Sequence, residues 1–257
     1  MLLLFDIGNT HTHVGLATAT RISKHADLPT AAWSKAMTVA ASKTRRLVGT
    51  ASITGVVICS VVPRVTPKVC RFCRRIWRVE PLVLSPRTLA GVAIRYPKPH
   101  TIGPDRLANA IAVHHHYGAP AVVVDFGTAV TFDVVDRQGA YVGGIIAPGL
   151  AAMTDYLHEK TALLPRIRIR ETKAVIGKNT VEAMLIGAVH GYRGLIRGLI
   201  HELKLTLRTR RLPVIATGGY AGLMAARLPE INAVEPLLTL EGLRLLWLHH
   251  QPAGKIA

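Results

Sequence analysis

One pattern occurs twice: an apolar run, then Asp, one residue, Gly, and Thr within two positions. The first copy is Leu2-Leu3-Leu4-Phe5-Asp6-Ile7-Gly8-Asn9-Thr10 and the second is Val122-Val123-Val124-Asp125-Phe126-Gly127-Thr128. The apolar run reads as a buried strand, and the glycine permits a tight turn that a side chain would obstruct. The residues that follow the second copy, 129–135, read as a returning strand. A carboxylate, a glycine and a hydroxyl at such a corner can hold a cation and turn backbone N–H groups toward phosphate oxygens. With one copy at the start and one near the middle of 257 residues, the pattern implies a duplicated α/β domain with a phosphate loop in each half.

The rest of the chain fits that frame. Residues 14–18 and 21–25 read as strands, and 31–48 as an alanine-rich helix with Thr30 as its N-cap. A buried strand is expected over 55–62, a helix opened by Thr66-Pro67 and running to Arg78, and a short strand over 81–84. The order predicts a mixed sheet. In the second half a hairpin is expected around Arg137-Gln138-Gly139. Helices are expected over 150–162, over 180–206 and at 236–250, with a strand over 212–216. Gly187, Gly191, Gly194 and Gly198 on the longest helix permit close packing against another helix or subunit. Residues 163–176 read as a basic, mobile loop. The two domains are expected to span 1–117 and 118–257.

Composition excludes several classes. Apolar residues make up 49% of the chain, so it is globular. No apolar run reaches the roughly 18–20 residues of a membrane span. The opening residues lack a basic leader, which makes them a first strand and places the protein in the cytoplasm. Cys59, Cys70 and Cys73 are too few for a disulfide framework. Cys70 and Cys73 share the spacing of a redox or zinc pair, but no second pair follows, and their basic neighbours read as an exposed helix face. The net charge of +17 will attract polyanions at low salt. The basic residues are scattered and little interleaved with aromatics, so an enzyme surface is favoured over a nucleic-acid interface.

The segment from Ser85 to Gly103 is irregular and contains Tyr96-Pro97-Lys98-Pro99-His100. Loops of that length inside a domain are usually functional. It leads into Gly103-Pro104-Asp105-Arg106 and a helix over about 105–117. Asp105 in a first helical turn after Pro104 is explained structurally by the helix dipole. A carboxylate beside a guanidinium could equally bind and deprotonate a small acidic substrate. His114-His115-His116 do not make a metal site, because adjacent helical residues point about 100° apart. Gly143-Gly144, Pro148-Gly149 and Thr217-Gly218-Gly219 mark backbone that must approach something closely, a nucleotide or simply another turn.

Taken in order, Asp6 to Thr10, Gly103 to Arg106, Asp125 to Thr131, Gly143 to Gly149, Asn179-Thr180 with Ala183-Met184 and Gly187, and Thr217 to Gly219 resemble type III pantothenate kinases over nearly the whole chain. The resemblance implies the acetate/sugar kinase–Hsp70–actin fold: two actin-like, ribonuclease H-like domains with mixed sheets and an interdomain nucleotide cleft. It implies ATP with its phosphates wrapped by Asp6, Ile7, Gly8, Asn9, Thr10, His11, Thr12, His13 and Thr128. It also implies magnesium on Asp6 and a monovalent cation, K⁺ or NH₄⁺, on Asp125. Tyr96, Gly103, Pro104, Asp105, Arg106 and Thr180 would line the pantothenate pocket, with Arg106 on the substrate carboxylate and Asp105 as general base. Thr180 would complete the pocket, across a dimer interface in a homodimer. The chain departs from the family pattern at Pro104, where alanine is usual, and at His11-Thr12-His13. Other small-molecule kinases, or a non-catalytic nucleic-acid-binding protein on the same fold, are the alternatives.

Overall fold

A continuous apolar strand needs cover on both faces, and the first unit of the computed structural model supplies it. The structure describes residues 1–251. Strands β1 (Leu2–Ile7), β2 (His11–Ala17) and β3 (Ile22–Pro29) run antiparallel in sequence. Helices α1 (Ala32–Lys35) and α2 (Met37–Val48) cross to β4 (Gly55–Ser60), which pairs with β1 in parallel. Helix α3 (Thr66–Trp77) leads to β5 (Leu82–Val83), giving the sheet order β3-β2-β1-β4-β5. The single helix expected over 31–48 is broken at Ala36, whose backbone (φ −142°, ψ 52°) is not helical. Thr30 does not cap it. Its hydroxyl donates to the Gly8 carbonyl at 2.7 Å instead, and its N–H to the Thr10 carbonyl at 2.9 Å. Likewise Thr66 lies inside α3 and bonds Ser60 Oγ at 2.7 Å.

The loop after β5 contains a two-residue strand that the sequence did not announce, β6 (Ala93–Ile94), and a 3₁₀ turn at Pro99–Thr101. Helix α4 (Pro104–Tyr117) follows.

The second unit repeats the plan of the first. Strand β7 (Ala121–Phe126) pairs antiparallel with β8 (Ala129–Val135), and β9 (Ala140–Pro148) completes the hairpin expected around Gly139. After α5 (Leu150–Lys160), residues 163–176 carry no regular structure. They are tied down nonetheless: Glu171 accepts from the buried Arg193 guanidinium at 2.6 and 3.0 Å.

The long helix expected over 180–206 is α6 (Thr180–Ile186), a π turn at Gly187–Gly191 and α7 (Tyr192–Thr206). Strand β10 (Val214–Thr217) pairs in parallel with β7. Helix α8 (Ala221–Ala225) and strand β11 (Ala233–Val234), which pairs with β10, close the unit. The order β9-β8-β7-β10-β11 matches β3-β2-β1-β4-β5, with an antiparallel hairpin on one side of the central strand and a parallel strand on the other.

Helix α9 (Leu238–His249) was grouped with the second half by its place in the sequence. It packs with the first unit, which comprises Met1–Gly118, Gly139–Val142 and the segment from Leu237 onward. The second unit is Ala119–Gln138 with Gly143–Pro236. The reason is steric fit. A Cβ on Gly242 would strike the Ala108 backbone of α4, one on Gly55 would strike the Trp247 ring, and one on Gly15 would crowd Leu240 at 3.2 Å. The β1 sheet is thereby covered twice. Leu3, Phe5 and Ile7 enter a core with Trp33 and Phe72, while α9 and α4 cover the other face. Among the described residues, no helix is long and apolar enough to cross a membrane.

Candidate active site

Side chains alternate along a strand. Leu3, Phe5 and Ile7 take one face of β1, so Asp6 takes the face covered by α4 and α9. The register then places His13 of β2 and Cys59 of β4 directly across from Asp6. On β3, Asp27 is across from His13, and the two bond at 2.7 Å between Nδ1 and Oδ1. Four adjacent strands thus carry one row, Asp27–His13–Asp6–Cys59. Burial pushes the Asp6 carboxyl up to about 6, and the nearby Asp105 charge adds to the rise. His13 and a hydrogen bond from Cys59 oppose it. The Cys59 thiol is wholly buried and is itself driven well above its ordinary value by burial, then by Asp6 and Asp105.

The turn beside this row is tightly held. Gly8 N–H donates to the His11 carbonyl at 2.9 Å, and Thr30 holds the Gly8 and Thr10 carbonyls. Ile7 and Thr12 are fully buried, and the Thr12 hydroxyl is 2.9 Å from that of Thr30. Ile7 and Thr12 therefore have backbone groups, not side chains, to present to a ligand. Asn9, Thr10 and His11 are exposed.

Asp105 enters from α4. Gly103 is the N-cap, Pro104 the first helical residue, and Arg106 donates its N–H to Asp105 Oδ1 at 2.9 Å. One carboxylate oxygen thus closes the first turn of the helix. Burial raises the Asp105 carboxyl above the usual range, against the N–H and charge of Arg106. Gly103 lies against this carboxylate: a Cβ there would meet Asp105 Oδ1, and the side chain would have to shift.

The Arg106 guanidinium lies over the Tyr141 ring, 5.7 Å from its centroid, and Tyr96 faces that ring at 6.3 Å. Strand β6 makes this possible by pairing Ala93 and Ile94 with Ala140 and Tyr141. Tyr141 was not singled out from the sequence, because nothing local signals a two-residue strand. Asp6, His13, Tyr96, Gly103, Pro104, Asp105 and Arg106 all belong to the first unit.

The second unit holds the parallel arrangement. Asp125 stands across from Thr131 on β8 and Thr217 on β10, as Asp6 stands across from His13 and Cys59. Gly218 (φ +88°) lies so close that a Cβ would meet Asp125 Oδ1 at 2.5 Å and the Phe126 backbone at 2.7 Å. The close approach expected of Gly149 is to the phosphate-type turn itself: its N–H donates to the Thr128 carbonyl at 3.2 Å, and a Cβ would collide with that carbonyl. Thr180 is exposed at the start of α6, which Asn179 caps by accepting from Glu182 N–H at 2.9 Å.

Among the described residues, no three His, Cys, Asp or Glu side chains gather as a metal cluster. Single carboxylates at turn corners suit hard cations that take their other ligands from phosphate, water and backbone oxygens. A cation at Asp6 would also relieve a buried carboxylate that burial alone makes unfavourable.

The family model of type III pantothenate kinases matches residues 2–202. A protein so named from Akkermansia muciniphila is 46% identical over 95% of this chain and 96% of its own. One from Methylacidiphilum infernorum is 42% identical over 95% of this chain and 87% of its own. Among solved structures, a Campylobacter jejuni protein described in the Baf family of transcriptional activators aligns with a TM-score of 0.62 at 18% identity, over 95% of this chain and 96% of that one. An inorganic polyphosphate/ATP-glucomannokinase from an Arthrobacter strain aligns at 0.51 and 12% identity, over 97% of this chain and 99% of that one. These two likenesses concern the fold, an α/β pair of actin-like domains with mixed sheets.

Proposed function

The chain belongs to the type III pantothenate kinase family, and from that premise we propose how its residues carry the reaction. The protein is an ATP-dependent kinase that converts pantothenate to 4′-phosphopantothenate, the first step of coenzyme A synthesis. The relatives support that reading and not a non-catalytic nucleic-acid-binding role.

The supporting observation is the seating of Asp105, a half-buried carboxylate with a raised pKa, near enough to Asp6 for their charges to interact. Asp105 is the general base: it takes the proton of the 4′-hydroxyl as that oxygen forms its bond to the γ-phosphorus, and the bond to the ADP oxygen breaks. A raised pKa suits a base working near neutrality. Arg106 receives the substrate carboxylate, with Tyr96 on the pocket wall beside Tyr141 and with Gly103 and Pro104 shaping the approach. The turn from Asp6 to His13 and Thr128 bind the ATP phosphates. Asp6 holds magnesium and Asp125 holds K⁺ or NH₄⁺; these ions supply positive charge where phosphoryl transfer needs it. ATP and pantothenate are cytoplasmic metabolites, and the cytoplasm is the proposed compartment.

A second copy of this chain is the proposed partner, with Thr180 contributing to the site at the interface. Gly187, Gly191, Gly194 and Gly198 all leave open space where a Cβ would stand, and Tyr156, Leu163, Val175 and Ile176 expose apolar surface in the same unit. A monomer in sedimentation at assay concentration would remove this assignment.

The test of the base is Asp105→Asn. Turnover should fall by about 10²–10⁴-fold, with ATP affinity unchanged and activity of the parent rising with K⁺ or NH₄⁺. An active Asn variant would exclude Asp105 as the base.

A further inference from the structure

Helices α2 and α3 of the first unit enclose a cleft of about 1120 Å³ that the kinase site does not use. Five cations line it: Arg45 and Arg46 from α2, and Lys68, Arg71 and Arg75 from α3. No carboxylate is among its lining residues. None of the five has an ion-pair partner among the described residues; Lys68 only reaches Ser34 Oγ at 3.2 Å. The contrast lies on the same helix. Arg74 is held by Glu80 in two bonds of 2.6 and 2.7 Å. Facing helices that crowd like charges into one concavity pay for it in repulsion unless an anion enters.

Trp33 gives the cleft an indole that can report on an occupant. Trp33 lines this cleft, is wholly buried, and its indole Nε1–H has no acceptor. Buried donors are nearly always paired, and an unpaired one is unfavourable. The ring packs against Phe5 at 6.0 Å and Phe72 at 5.4 Å between centroids. The remaining lining combines the hydroxyls of Ser34, Thr38 and Ser42 with an apolar patch in which Phe72 and Trp77 meet edge to face at 5.2 Å beside Val48 and Ile76.

We propose that this cleft is a second anion-binding site, separate from the kinase site, for a nucleotide-sized molecule that joins two or more phosphates to a flat or apolar body. Five unpaired cations exceed what one monophosphate would neutralise. The volume slightly exceeds that of most small-molecule sites and so leaves room for a nucleotide-sized molecule, and the aromatic lining offers a stacking surface for a heterocycle. Guanidinium groups from two helices suit phosphate oxygens.

The test follows the indole N–H resonances of the full chain by NMR, with Trp33 assigned through Trp33→Phe and Trp247 as the internal control. Inorganic tripolyphosphate and ADP are titrated separately. The expected result is a saturable shift of Trp33 and Trp77 with Trp247 unmoved. Equal affinity for both probes would mean that the phosphate chain alone is read, and tighter ADP binding would mean that the base uses the aromatic lining. Arg71→Gln with Arg75→Gln should weaken this binding by about tenfold or more, with kinase activity unchanged. Arg45→Gln with Arg46→Gln, on the other helix, gives the same reading independently should the first pair fail to fold. No shift with either probe, or a shift that survives both double variants, would overturn the proposal. Saturation with a single-stranded oligonucleotide but neither small probe would also overturn it, in favour of a nucleic-acid groove.

Discussion

Asp6 is a carboxylate kept where water would not keep it. Its pKa is about 6 in the folded protein, against an ordinary 3.8. Between those values the folded state holds a proton that the unfolded chain has released, so stability falls as pH rises through the window and is level above it. In protein free of nucleotide and divalent ions, Asp6→Asn should therefore be more stable at pH 7, on the order of 2 kcal/mol. That gain should fade as pH falls toward 4. Thermal melts across this pH range check it; a variant less stable at pH 7 would contradict the burial argument. The same substitution should abolish kinase activity if Asp6 holds the magnesium. At this scale the Asp–x–Gly–Thr signature made Asp6 and Asp125 legible, and Gly103 to Arg106 made Asp105 legible. Cys59 was not, because its place beside Asp6 depends on strand register rather than on any neighbour in sequence.

Helix α4 shows how an element sets the geometry of a residue. Its N-terminal turn has no side-chain cap, and Asp105 binds the Arg106 N–H within it. Gly103→Ala would place a methyl group on Asp105 Oδ1 and turn the carboxylate aside. Turnover should drop by about tenfold or more, since displacement of a catalytic group by even 1 Å is costly. ATP affinity should hold, because α4 does not form the phosphate turns. Steady-state kinetics with nucleotide binding measured separately would check this, and unchanged turnover would mean that Gly103 has no positioning role. Strong periodic helices and continuous apolar strands were readable from the sequence. Strand β6 was not: two residues carry no pattern, yet they bring Tyr141 beside Tyr96 and Arg106. The break at Ala36 was also unannounced, in a stretch whose alanines favour a continuous helix.

For the whole molecule, the two units share a strand plan, and the repeat of the signature implied that duplication. What the repeat could not reveal is that α9, although last of the elements, covers the β1 sheet of the first unit. Its fit against Ala108, Gly15 and Gly55 is a property of three surfaces that meet only after folding. Deleting the segment from Leu237 onward should leave the first unit's apolar face open and the protein aggregated. Recovery of a soluble, monodisperse truncated protein on gel filtration would show that α9 is dispensable.

The return of α9 also has a consequence in time. A ribosome makes the β1 sheet first and the helix that seals it only after the whole second unit has emerged. Throughout translation the first unit must wait with one side of its sheet uncovered, while every strand of the second sheet has emerged before α9 does. Folding order in the cell would then run opposite to the order of synthesis, with the half made later maturing first and the half carrying Asp6 and Asp105 maturing last.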